Sequence, residues 1–255
     1  MKMNTRRRYL YSLLALLMMA TAKGATTDKA AADTLYAQGQ YEVAAKAYAD
    51  IIAEQGEAAA LDYNIGNCYY KMDDIPHAIL YYERALLLNP SDDDIRANLT
   101  LARSKAVDKV TPPSEMFFVT WWKSLTNAMN IDQWKTVAAI AFSLMLIGLL
   151  CYLLRLSLVW RKAGFYGAVL AGIVCLTANL LAYSQHRAIT HRHTAIITTP
   201  AVTVQSSPDA ASTSLFVIHE GSRVELLGEP SGDWYEVWFE EGKQGWVPTA
   251  SFEII

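Results

Sequence analysis

Hydrophobic positions along this chain follow three patterns in turn. Between residues 25 and 109, small and aromatic residues recur at helical spacing, with Ala44 and Tyr48 on one stretch and Ala78, Tyr82 and Ala85 on the next. Gly39-Gln40, Gly56, Asp73-Asp74 and Asn89-Pro90 interrupt them, so the pattern predicts a series of short helices. Two runs without any charge follow, 136–154 and 163–184, of 19 and 22 residues. From about Ile196 the period falls to two: Ala201–Val204, Leu215–Ile218, Arg223–Leu227, Trp234–Phe239 and Lys243–Val247 are short strand candidates separated by Gly, Pro and Asp.

The uncharged runs are each long enough, at 1.5 Å per residue, to cross a hydrocarbon core of about 30 Å. The segment between them, Arg155 to Lys162, holds Arg155, Arg161 and Lys162, which places that loop on the cytoplasmic side. Residues 1–23 have the layout of a secretory signal: Arg6, Arg7 and Arg8, an apolar stretch from Tyr9, then Ala20-Thr21-Ala22. Whether cleaved or retained as an anchor, it sends the next segment out of the cytoplasm. Both arguments give a helical hairpin with both flanking modules outside. Gly164, Ala168 and Gly172, and likewise Gly167, Ala171 and Cys175, recur every four residues and predict close helix packing, with Asn179 bonding to a neighbouring helix. Residues 115–133 carry Phe117, Phe118, Trp121, Trp122, Leu125 and Met129, the pattern of an amphipathic helix on the outer leaflet.

The chain also resembles itself at an offset of 34. Gly39-Gln40-Tyr41 aligns with Asp73-Asp74-Ile75, Ala44 with Ala78, and Tyr48 with Tyr82. Together with Tyr63-Asn64-Ile65-Gly66 and the closing Asn89-Pro90, this period resembles the tetratricopeptide repeat. Asp62 stands where that family usually has a large aromatic, and in the weaker first copy (25–58) Ala32 replaces the glycine. Residues 93–109 match a first helix alone and read as a cap. The resemblance implies an array that holds an extended peptide against its first helices, at Tyr36, Tyr63, Asn64, Asn67, Tyr70, Lys71 and Asn98, with Asp33 at a further groove-facing offset. Asp94 and Asn98 stand where relatives that clamp a terminal carboxylate have bases, so that ligand is not expected.

At the other end, Gly221-Ser222-Arg223-Val224, Gly232-Asp233-Trp234-Tyr235-Glu236-Val237 and Gly245-Trp246-Val247 resemble the bacterial SH3-like domain, a small barrel over 196–255. Relatives often bind cell-wall or peptide ligands. Trp234, Tyr235 and Trp238 are the candidate contacts, Trp238 because it alternates with Val237 and Phe239, while Trp246 is expected in the core. The fold class expected is therefore multidomain: an all-α repeat array, a two-helix transmembrane hairpin and a small all-β barrel.

Charge sharpens the picture. The net −3 conceals +5 over residues 1–23, −7 over 24–133, +6 over 134–194 and −7 over 195–255. Acidic modules repel a phosphate backbone, so nucleic acid is not an expected partner. Cys68, Cys151 and Cys175 cannot form a disulfide framework, and Cys68 sits at a packing position. His186, His191 and His193 read as a solvated stalk rather than a metal site. No phosphate-cradling loop, nucleophile elbow or zinc helix is present, so neither enzyme activity nor a cofactor or metal is expected.

Taken in order, signal, repeats, juxtamembrane aromatics, basic-looped hairpin and SH3-like domain resemble the BatE-type proteins of the Bacteroides aerotolerance operon. That resemblance implies a scaffold in the bacterial cytoplasmic membrane, acting with other membrane-anchored proteins of the operon, von Willebrand type A proteins among them, in tolerance of oxygen. Membrane lipid is a further expected partner. Peptidoglycan binding through the SH3-like domain is the alternative function.

Overall fold

The computed structural model describes residues 26–108, 116–154, 157–240 and 242–255. The signal segment 1–23, the break at 111–114 and Arg155 of the basic loop lie outside them.

The repeat region folds as α1 (Thr26–Ala37), α2 (Tyr41–Gln55), α3 (Ala59–Lys71), α4 (Ile75–Leu88) and α5 (Asp93–Lys105). The turns explain themselves locally. Gly39 and its repeat equivalent Asp73 both take positive φ, 77° and 61°, to reverse the chain inside a helix pair. The Asp74 side chain then accepts from the His77 amide to cap α4, with Pro76 in its first turn, and Asp92 accepts from Asp94 and Ile95 to cap α5. Packing follows the 34-residue period. Ala44 and Ala78 are fully buried, and Tyr48 and Tyr82 are 1% exposed. A Cβ on Gly66 would lie 2.7 Å from the Tyr82 ring, which is why α3 carries a glycine there.

The middle of the chain gives α6 (Phe117–Thr126), α7 (Ile131–Leu153) and α8 (Leu158–Thr190). Asn130 and Gln133 form a reciprocal cap, so residues 131–133 belong to the apolar helix and not to the juxtamembrane segment. Helices α7 and α8 are long and apolar enough to cross a membrane; only 11% and 17% of their most apolar windows is buried, unlike the core helix of a soluble domain. They meet where Gly148 faces Gly164: a Cβ on either would come within 3 Å of the other's carbonyl oxygen. Only part of the expected small-residue pattern serves this contact, since a Cβ on Gly167 would meet nothing within 4 Å. Asn179 does not bridge helices either. Its amide donates to the Cys175 carbonyl of its own helix at 2.8 Å.

At 33 residues α8 is about 50 Å long, well beyond a hydrocarbon core of about 30 Å. Its last turns pack against α6 and the array. Trp134 closes the hairpin end by donating from Nε1 to the Thr126 carbonyl at 3.0 Å, and Gln185 Nε2 donates to the Met129 carbonyl at 3.3 Å. His186, His191 and His193 are exposed, as the solvated-stalk reading expects, but the segment is helix to Thr190 and is tied down beyond it: Arg192 donates to both carboxylate oxygens of Glu57 on the array.

The C-terminal domain has seven strands where the sequence suggests five: β1 (Thr194–Ile197), β2 (Ala201–Gln205), β3 (Ser214–His219), β4 (Arg223–Ser231), β5 (Trp234–Glu240), β6 (Lys243–Pro248) and β7 (Phe252–Ile254). They form one antiparallel sheet in the order β3-β2-β6-β5-β4-β1-β7, around Val204, Ile218, Val224, Val237, Val247 and Phe252. The domain begins at Thr194 because β1 follows α8 after only three residues.

Candidate functional site

In the groove, the second helix of each repeat reaches across to the first. The Tyr48 hydroxyl donates to Asp33 at 2.6 Å, and the Tyr82 hydroxyl donates to Asn67 at 2.8 Å. Asp33 and Asn67 are themselves 34 residues apart, so the same latch is built twice. In the first copy it pulls the Asp33 carboxyl below the usual range. In the second copy the latch branches: Asn98 Nδ2 donates to the Tyr63 hydroxyl at 2.8 Å and to Asn67 Oδ1 at 3.2 Å, tying the cap helix to α3. Tyr63, Asn67 and Asn98 are thus one bonded set, with the Tyr63 and Tyr82 rings 5.9 Å apart.

The remaining groove candidates surround this set. Tyr70 lies one turn beyond Asn67 and carries Lys105 Nζ 4.4 Å above its ring, while Lys105 also binds Asp73 at 3.0 Å. Asn64 is half-buried and Lys71 exposed at the end of α3. Tyr36 packs edge-on against Tyr41 in the first copy, where burial raises its phenol. In the bonds named, Tyr63 is an acceptor, so its own O–H can still donate, and Asn98 Oδ1 can still accept. These are the complements of an extended backbone. Asn67 Oδ1, by contrast, already accepts twice, which makes it a positioning residue of the groove.

On the barrel, strand register divides the aromatics. Tyr235 faces inward, packing against the core with its hydroxyl donating to the Gly228 carbonyl at 2.9 Å. Trp234, Glu236 and Trp238 face outward, and the pairing Glu236↔Trp246 puts Trp246 on that outer face, half-buried. The expectation of a core Trp246 is thereby corrected: Val247, its neighbour, fills the core and is fully buried. Three tryptophans share one face around Glu236, and the outer member of the sequence's trio is Trp246 rather than Tyr235.

A third constellation joins the modules and escapes local sequence patterns. Ile196 of β1 and the terminal Ile255 enter the apolar cluster of Ala78, Ile79, Leu99 and Ala102. Around this seam Arg84 donates to the Ile254 carbonyl, His77 lies between Asp74 and Glu253, and Glu83 holds Arg103 and Arg223. Asp108 accepts from the His219 amide at 2.8 Å and Ser222 Oγ at 3.0 Å. Near the edge of the seam Asp62 is 1% exposed, and its Oδ2 has no partner among the described residues. Burial, then the Glu57 charge, pushes its carboxyl up to about 7 against the pull of Arg84 and Arg192. The signal was the acid at the repeat's aromatic position. Burial likewise pushes the Cys68 thiol up to about 11, consistent with a packing role.

Residues 63–92 match the tetratricopeptide repeat family and residues 200–253 the bacterial SH3 domain family. No curated protein matches the chain. The first helix pair lies outside the matched stretch, yet it carries the same tyrosine latch at the same offset. A repeat module of the kind that mediates protein–protein interaction and a domain of the kind that often binds cell wall are here fused across a shared apolar seam, beside two helices of membrane-crossing length.

Proposed function

We propose that this chain is a membrane-anchored periplasmic scaffold whose repeat groove holds a segment of another membrane protein. The α7–α8 hairpin crosses the bacterial cytoplasmic membrane with Arg161 and Lys162 at its cytoplasmic turn and both modules outside. Support for that orientation comes from Arg155, Arg161 and Lys162, three bases gathered in the eight-residue loop between the two uncharged runs. The observation that carries the binding role is the division of the array's surface. The barrel docks through α4, the end of α5 and Asp108; the Tyr63 ring packs against the same apolar cluster, but the hydrogen bonds named for Tyr63, Asn67 and Asn98 run among themselves and to Tyr82, not to the barrel. Binding, not catalysis, is the proposed activity. The resemblance of the module order to the aerotolerance proteins supports extending the role to a membrane complex that protects against oxygen, with von Willebrand type A proteins as partners.

The test is affinity capture from solubilised membranes, comparing wild type with Asn64→Ala/Lys71→Ala, which leaves the bonded Tyr63–Asn67–Asn98 set intact. Loss of a specific membrane partner is expected; unchanged recovery would take the groove out of the account. A second reading, cell-wall binding, is favoured by the Trp234–Trp246–Trp238 face. Co-sedimentation of the full chain with purified peptidoglycan decides it, and equal pelleting of wild type and Trp234→Ala/Trp246→Ala would discard it.

A further inference from the structure

Where the array meets the outer end of the hairpin, a cleft of about 480 Å³ opens between the start of α5 and α6. It is lined by Ser91 and Arg96 from the array and by Thr120, Lys123, Ser124 and Asn127 from α6 and the turn after it. Positions 120, 123, 124 and 127 follow helical spacing, so one continuous polar face of α6 forms the wall. The adjoining face of the same helix is aromatic and uncovered: Phe117, Phe118 and Trp121 are 84%, 54% and 63% exposed. Among the described residues the lining holds two cations, three hydroxyls and an amide, and no carboxylate. Arg96 is held in place from behind. Its Nη1 donates to Asp93 at 2.6 Å and its Nη2 to the Pro90 carbonyl at 2.6 Å, with Asp93 outside the lining and 90% exposed.

We propose that this cleft binds the phosphate of an anionic phospholipid headgroup, with the acyl chains lying along the aromatic face of α6. The inference rests on the membrane reading above. A phosphate needs cations and hydrogen-bond donors together, and Arg96, Lys123 and the hydroxyls of Ser91, Thr120 and Ser124 supply both within one concavity. The tails need an apolar surface at the same depth, which Phe117, Phe118 and Trp121 provide. Because the cleft is shared between array and interface helix, one bound lipid would pin the array against the membrane and fix the direction in which its groove opens.

Native mass spectrometry of the full chain released from nanodiscs tests this, using phosphatidylcholine with or without phosphatidylglycerol. Wild type should retain phosphatidylglycerol in preference to phosphatidylcholine. Arg96→Gln and Lys123→Gln should each cut that retention about fivefold, the worth of one base near an anionic surface. Ser124→Asp, which disturbs none of the bonds named, should do the same by placing a carboxylate in the cleft. Lys135→Gln, a base outside the cleft, should change nothing. Equal retention of the two lipids, unchanged retention in Lys123→Gln and Ser124→Asp, or an equal loss in Lys135→Gln would overturn the site. Release of the lipid by millimolar inorganic phosphate would mark a free-phosphate site and overturn the lipid assignment. Failure of the chain to enter nanodiscs would remove the membrane reading itself.

Discussion

The two sides of the repeat array satisfy their polar groups in different ways. At the centre of the groove the bonds join neutral phenols and amides, Tyr82 to Asn67 and Asn98 to Tyr63 and Asn67, with charged groups only at its ends, Asp33 with Lys29 in the first copy and Lys105 with Asp73 beside Tyr70. On the barrel side the bonds involve ionised groups: Arg192 to Glu57, Arg103 and Arg223 to Glu83, and the Asp108 carboxylate accepting from the His219 amide and Ser222. Neutral donors and acceptors can be exchanged for those of a peptide at little desolvation cost, whereas charged pairs around an apolar seam lose more when they part. One side is therefore suited to bind and release and the other to stay joined.

The largest expected effect breaks the groove from within. Tyr82→Ala removes a fully buried ring against which Gly66 is shaped and should cost about 3–5 kcal/mol in thermal unfolding of the solubilised chain. On the opposite side, Ile196→Ala should cost about 2–5 kcal/mol and raise hydrogen exchange in β1 and β7 while leaving α3 protected. If exchange rises equally in α3, the two sides are not separable.

A pH series sharpens the contrast. The Asp62 carboxyl is raised to about 7 in the folded chain, above its unfolded value, so folding takes up its proton between about pH 4 and 7. Its contribution therefore favours the folded state at the acidic end and is lost as pH rises toward 7, on the order of 4 kcal/mol at most. Asp62→Asn should flatten that slope. The lowered carboxyls of Asp33, Glu57 and Asp108 have the opposite sign, with stability present above their unfolded values and lost as pH falls through the folded ones. Wild type and Asp62→Asn showing the same slope from pH 4 to 7 would contradict the buried-acid assignment.

Smaller effects separate hydrogen bonds from packing. Tyr82→Phe keeps the ring and deletes one bond, for about 1 kcal/mol, and should weaken partner recovery by loosening Asn67. Arg192→Gln removes a partly exposed pair and should cost at most about 1 kcal/mol, with an effect that fades in high salt. A salt-insensitive loss would mean that Arg192 acts through packing.

Much of this architecture was legible because its signals are local. Ala44, Tyr48, Ala78 and Tyr82 repeat every 34 residues since each helix pair needs the same small and large side chains, and the five longer strands show their alternation directly. What escaped detection depends on distant partners. Strands β1 and β7 are four and three residues long, too short to alternate visibly. The run around Arg192 looks solvated until Glu57, 135 residues earlier, is brought beside it. Trp246 and Val247 are adjacent and both apolar, and only pairing with β5 decides which one faces out. The groove candidates lie along α1, α3 and α5, but Asn67 accepts from Tyr82, a bond that periodicity alone does not reveal.

The groove, and not the barrel-covered side, is the surface proposed to meet a partner. Photo-cross-linking in intact membranes addresses it directly, with a benzophenone amino acid in place of Lys71 in the groove or of exposed Val43 on α2. A discrete cross-linked membrane protein from position 71 and none from position 43 is the predicted result; adducts from position 43 alone, or the same adducts from both, would contradict it.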